Sequence, residues 1–255
     1  MRTMKRFPLV LAAFLVAAVV TVAPSAASAK IVELGQTSTP LSAPECPKGV
    51  SAAQCFIILA RTTAVQTTSD GVVNPMRVTR AGWIVAFSLG LSQLSTDPKT
   101  EHSILHGLDL GYGGTPQVAL TVLKPGPKNT FTVVSQSGTL HLIPFLGQVL
   151  QQPLSLPPAF KTITPLAVKP GYVIGLTVPT WAPVLIYNLS ASKFAYRQSR
   201  RAGCKHAAAG NTAQTKVGQS EQYLCSYSGT RVEYSATEVV NQPYPSKYVH
   251  IRRRP

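Results

Sequence analysis

"LAVKPGYVIGLTVP" (Leu166–Pro179) decides how the rest of the chain is read. Two apolar runs flank Lys169-Pro170-Gly171. Proline presets φ for the second position of a turn, and glycine accepts the positive φ needed at the third. The stretch therefore reads as strand, type II turn, strand. In the second strand Ile174, Leu176 and Val178 share one parity. Period two is the signature of a strand with one face toward a core. The stretch is scaffold, not a cradle for a phosphate or a sugar.

The same pattern recurs along the chain. Trp83, Val85, Phe87, Leu89 and Leu91 share one parity, which puts Trp83 in the core. Val118, Leu120 and Val122 repeat the alternation, as do Trp181, Leu185, Tyr187 and Leu189. Asp70-Gly71 precedes one strand. Lys124-Pro125-Gly126-Pro127-Lys128 separates Gln117–Leu123 from Thr130–Gln136 and predicts a second type II turn. Short strands at this spacing, in a chain with 21 prolines and 18 glycines, specify an all-β fold. The expectation is an antiparallel β-sandwich of jelly-roll type with long loops and short helices at most. One such helix is placed around Phe145–Gln151. No fixed repeat period supports a propeller or a solenoid. Ser95–Pro116, Pro144–Pro158 and Arg197–Ser220 break the strand pattern and read as long irregular loops.

Residues 1–29 set the expected compartment. Arg2, Lys5 and Arg6 precede an apolar run from Phe7 to Ala23, and Ala27-Ser28-Ala29 supplies a small-residue cleavage pattern. This reads as a secretory signal peptide, the alternative being an uncleaved anchor. No later stretch is apolar and long enough for a span. The domain plan is a signal peptide (1–29), an extended arm (30–54), a β-sandwich (55–240) and a basic, mobile tail (241–255). Four cysteines in an exported chain read as disulfides, and sequence order favours Cys46–Cys55 and Cys204–Cys225. Neither spacing suits a zinc site.

The formal net charge is +15, or +12 without residues 1–29. Such a chain is drawn to polyanions without thereby gaining specificity. Lys193, Arg197, Arg200, Arg201 and Lys205 form a basic set with no acidic residue among them. They are the candidate polyanion surface, against the alternative of a solvated basic face. No nucleic-acid module or aromatic interleaving accompanies them, so no specific nucleic-acid partner is expected.

Chemistry is sparse. The nine acidic residues are scattered. Asp97, Glu101 and Asp109 share one irregular loop and could converge for hydrolysis. "EHSILH" brings Glu101, His102 and His106 together, but the Glu stands outside the histidine pair and Gly107 follows at once. Without a helix to hold the pair, no metal site is expected. No Gly-x-Ser-x-Gly elbow and no phosphate loop occur, and no cofactor is implied. Asp109, Tyr112 and Trp181 are the candidate ligand-binding residues, with core burial the competing fate of Trp181.

"DGVVNPMRV", "PQVALTVLKPG" and "ITPLAVKPGYVIGL" in that order resemble a β-sandwich type of secreted actinobacterial exoproteins. The resemblance covers roughly Asp70–Leu189 and implies a jelly-roll, carbohydrate-binding-like sandwich. It departs at Asn74-Pro75-Met76, where an aromatic residue usually precedes the Arg, and at Tyr172, where an Asp is usual. The expected function is that of a secreted or envelope-associated, non-catalytic binding protein whose partner is a glycan or an anionic wall polymer. The alternatives are a hydrolase using the 95–116 carboxylates and a structural envelope protein with protein partners only.

Overall fold

The computed structural model describes residues 30–46, 57–154, 165–200, 203–204 and 210–240. The expected signal peptide and tail, with Cys55, Arg201 and Lys205, lie outside these residues. The strands are β1 (Lys30–Leu34), β2 (Leu59–Ser69), β3 (Val72–Val73), β4 (Gly82–Gly90), β5 (Gln117–Pro125), β6 (Thr130–Gln136), β7 (Leu140–His141) and β8 (Val149–Pro153). They continue as β9 (Leu166–Val168), β10 (Val173–Ala182), β11 (Leu185–Ile186), β12 (Ala195–Gln198), β13 (Ser220–Gln222), β14 (Cys225–Ser228), β15 (Arg231–Val232) and β16 (Tyr234–Val240). Among the described residues the one α-helix, α1 (Pro98–Tyr112), joins β4 to β5.

The fold is an all-β, antiparallel, sandwich-like arrangement. The smaller sheet runs β1-β16-β4-β8, with β9 also on β4. The larger runs β13-β6-β5-β10-β2-β12-β14, with β3 on β2 and β7 on β5. Phe87, Leu89, Leu120, Val122, Ile174 and Leu176 fill the core. Tyr234 ties the sheets across it: its hydroxyl on β16 donates to the Ile174 carbonyl on β10 at 3.0 Å. Burial pushes that phenol above its ordinary value, so it remains a donor.

The Lys169-Pro170-Gly171 turn forms as expected. Gly171 has φ +88° and the Tyr172 amide donates to the Lys169 carbonyl at 3.1 Å. A Cβ there would meet only the Arg77 guanidinium at 4.0 Å, so the penalty for a side chain is conformational. Gly171→Val is expected to destabilise folding by about 1–2 kcal/mol, read by urea unfolding. An unchanged midpoint would contradict the turn assignment.

Four expectations are corrected. First, Gly126 is extended (φ −129°, ψ −174°), and the chain reverses instead through Lys128 and Asn129 at φ 53° and 55°. The cause is Pro127: the residue before a proline is steered toward extended backbone. Second, β4 does not keep one parity. Its register with β16 slips between Ile84 and Ala86, leaving Val85 as the extra residue. Ile84 faces the core before this bulge, Phe87 and Leu89 after it, while Trp83 and Val85 are half-buried. Third, Phe145–Gln151 is not a helix; a 3-10 turn at Ile143–Phe145 leads into β8.

Fourth, Ser95–Pro116 is not an irregular loop but contains α1. Asp97 is its N-cap, accepting from the Thr100 amide at 2.8 Å and hydroxyl at 2.6 Å, with Pro98 in the first turn. Gly113 closes it in the left-handed conformation, φ +86°. Ile104, Leu105, Leu108 and Tyr112 form its inward stripe. Gly107 and Gly111 weaken helix propensity and obscured the pattern, but both sit on the exposed face.

Residues 211–219 seal part of the outer face of the larger sheet. Thr63, Thr121 and Thr177 form a buried hydroxyl ladder across β2, β10 and β5, with Oγ–Oγ distances of 2.9 and 2.6 Å. Gln214 lies over it, fully buried. Its amide nitrogen donates to the Phe131 and Gln219 carbonyls at 2.9 Å, and its oxygen accepts from the Tyr223 hydroxyl at 2.5 Å. The Cys204–Cys225 disulfide forms as expected. Cys46 is not a free thiol, and its expected partner Cys55 lies outside the described residues.

Candidate functional site

The three expected binding residues do converge, but as packing. Trp181, near the end of β10, is fully buried among Ile57, Ala60 and Leu94 beneath α1. Its indole N–H donates to Asp109 Oδ1 at 3.0 Å. Tyr112 packs against the same cluster, with the Arg61 guanidinium 5.8 Å from its ring centroid. Trp181 therefore offers no ring face to a ligand. Two of the three carboxylates of this segment are similarly engaged: Asp97 caps the helix and Asp109 anchors it, while Glu101 lies in the first turn of α1. The Thr100 bonds hold the Asp97 carboxyl below its usual range.

The basic set is not one exposed patch. Lys193 is exposed, but Arg197 turns its guanidinium onto the Tyr223 and Leu224 carbonyls at 3.0 and 3.3 Å, and Arg200 is buried. Arg201 and Lys205 lie outside the described residues.

A different surface, the outer face of the smaller sheet, is concave and polar. On the smaller sheet the core-facing residues include Leu34, Ala236 and Phe87, so the alternate residues face outward. Glu33 of β1 pairs with Thr237 of β16, Ser235 of β16 with Ser88 of β4, and Ser88 with Gln151 of β8. The result is a polar row across four strands. Ser235 and Thr237 hydroxyls donate to the two Glu33 oxygens at 2.5 and 2.7 Å, which fixes the carboxylate. Gln36, Pro40 and Leu41 of the N-terminal arm contribute to the walls of a cleft of about 420 Å³ over this row, with Val149 and Leu150 from β8. Among the described residues no aromatic side chain lines it. Alternation in β16 and β1 could have flagged Glu33, Ser235 and Thr237 as one face. Nothing in the sequence showed that the arm folds back over them.

The arm is latched at two points. At the first, the Asp70 carboxylate accepts from Thr37 Oγ1 (2.5 Å), Ser38 Oγ (3.0 Å), the Thr39 amide (2.8 Å) and Thr39 Oγ1 (2.9 Å). At the second, the buried Arg231–Glu233 pair, 3.2 Å apart, grips the arm's backbone. Arg231 Nη1 donates to the Pro40 carbonyl at 3.2 Å, and the Ser42 amide donates to Glu233 Oε2 at 3.0 Å. At the second latch the arm passes so close to β4 that a Cβ on Gly90 would sit 1.9 Å from the Ser42 carbonyl oxygen. Only glycine fits there.

These latches give the stability a two-sided pH dependence. The Thr37 hydrogen bond, with those of Thr39 and Ser38, holds the Asp70 carboxyl well below its ordinary 3.8. A depressed folded value contributes stability that is present above the unfolded value and lost as pH falls. Burial outweighs Arg231 and pushes Glu233 up to about 7 from an ordinary 4.5. A raised folded value contributes stability that is present below 4.5 and lost as pH rises through about 7. Glu238 is raised by burial and acts in the same direction. Asp70→Asn is expected to flatten the acid limb and Glu233→Gln the limb between 4.5 and about 7, read by urea unfolding across pH. Parallel profiles for wild type and both variants would contradict this assignment.

Among the described residues no group of three or more His, Cys, Asp or Glu could hold a metal ion, and no helix is long and apolar enough to cross a membrane. Comparison of the chain with protein-family models, curated proteins and solved structures gives no match.

Proposed function

We propose that the chain is a secreted, non-catalytic binding protein whose arm-walled cleft takes a neutral, polyhydroxylated ligand of the glycan class. The observation that carries this reading is the row Glu33–Ser235–Ser88–Gln151 beneath the arm. A fixed carboxylate accepts from ligand hydroxyls, the Ser88 hydroxyl donates or accepts, the Ser235 hydroxyl, whose proton goes to Glu33, accepts, and the glutamine amide does both. The Glu33 carboxylate disfavours an anionic polymer in this cleft, despite the positive net charge of the chain. The resemblance to carbohydrate-binding-like sandwiches and the Cys204–Cys225 disulfide both suit an exported protein of this kind. The hydrolase alternative loses support, because Asp97 and Asp109 are held in helix capping and packing, which leaves Glu101 without a second carboxylate to work with.

The test is a glycan array probed with residues 30–255 at low and high salt. Saturable binding that survives high salt, falls in Glu33→Ala and Gln151→Ala, and persists in Lys193→Ala supports the proposal. Binding to no neutral glycan, or binding abolished uniformly by salt, would overturn it.

A further inference from the structure

We infer that His102 and His106 form a two-histidine site for a divalent late first-row metal ion on the solvent face of α1. They stand four residues apart within one continuous helix, Pro98–Tyr112, and both are exposed. Residues at this spacing are neighbours on one helix face, with Cβ atoms about 5–6 Å apart. That separation lets two imidazoles share one ion, as in helical His-x-x-x-His pairs.

The helix presents them on a fixed support. Asp97 caps one end, Gly113 closes the other, and Asp109 is bonded to the buried Trp181 indole. Ile104, Leu105 and Leu108 pack inward against the Trp181 cluster, which leaves the histidines pointing away from it. Holding two ligands one turn apart before the ion arrives removes much of the ordering cost of chelation.

Because no third His, Cys, Asp or Glu among the described residues completes the set, the remaining coordination positions belong to water or a small ligand. Two neutral nitrogen donors suit Cu²⁺, Ni²⁺ and Zn²⁺, and exclude the oxygen-seeking Ca²⁺ and Mg²⁺. An ion bridging adjacent turns also stabilises the helix that carries it, offsetting the low helix propensity of Gly107. The site is separate from the cleft, and either can fail without the other.

The experiment is calorimetric titration of the untagged chain with Zn²⁺ in a non-coordinating buffer at neutral pH, with far-ultraviolet circular dichroism to check the fold. His102→Ala and His106→Ala are each expected to weaken binding by about tenfold or more, because either loss removes the chelate. The double variant H106A/G107H keeps two histidines but moves one about 100° around the helix. It is expected to bind as weakly as the single variants. Unchanged affinity in either single variant, or full affinity in H106A/G107H, would overturn the site.

Discussion

Trp181→Ala is expected to lower the unfolding free energy by about 3–5 kcal/mol, the range for removing a large buried aromatic side chain. The indole is fully buried and is the surface on which α1 rests. Its loss leaves a cavity beneath Ile104, Leu105 and Leu108 and frees Asp109 from its 3.0 Å hydrogen bond. The damage should be local in kind. Amides of α1 should exchange faster than those of β5 and β10, because the sandwich core under Leu120 and Leu176 does not depend on this cluster. Urea unfolding gives the magnitude and hydrogen exchange the location. A cost below about 1 kcal/mol would place Trp181 outside the core and restore it as a ligand platform.

Gln214→Leu should cost about 3 kcal/mol or more, although it barely changes side-chain volume. The cost is polar. The Phe131 carbonyl and the Tyr223 hydroxyl lose their amide partner in a site sealed from water, while the Gln219 carbonyl keeps the Val133 amide; each polar group left short of a partner costs about 1–3 kcal/mol. Burial raises the Tyr223 phenol well above its ordinary value, so it cannot escape by ionising. Thr177→Val, one layer lower in the same network, should show a coupling with Gln214→Leu rather than a simple sum. Additive costs would show that the hydroxyl ladder and the glutamine act independently.

The sandwich was legible because its strands obey period two and its turns use the residues that turn geometry demands. Ile174, Leu176 and Val178 face the core, and Gly171 makes its turn. Where the reading failed, a local rule was overridden by a neighbour. Pro127 held Gly126 extended, and the bulge at Val85 reversed the parity of β4. In α1, two exposed glycines masked a helix whose support comes from tertiary packing on Trp181, which no local pattern reveals.

The candidate site was less legible than the fold for a related reason. Asp109, Tyr112 and Trp181 do meet in space, yet they meet to hold α1 down. The cleft draws on β1, β4, β8, β16 and the arm, which are up to about 200 residues apart in the chain. Alternation can put Glu33, Ser88 and Ser235 on outward faces. Strand order and register, which juxtapose them, follow from pairings that no short motif records.

Amide chemical-shift mapping of residues 30–255 with a panel of neutral oligosaccharides shows whether the arm-walled cleft takes a glycan. Saturable shifts are expected at Gln36, Leu41, Ser88 and Gln151, with the amides of α1 unmoved. Saturable shifts centred on Asp109, Tyr112 and Trp181, or none in the cleft at any concentration, would contradict a glycan site in the cleft.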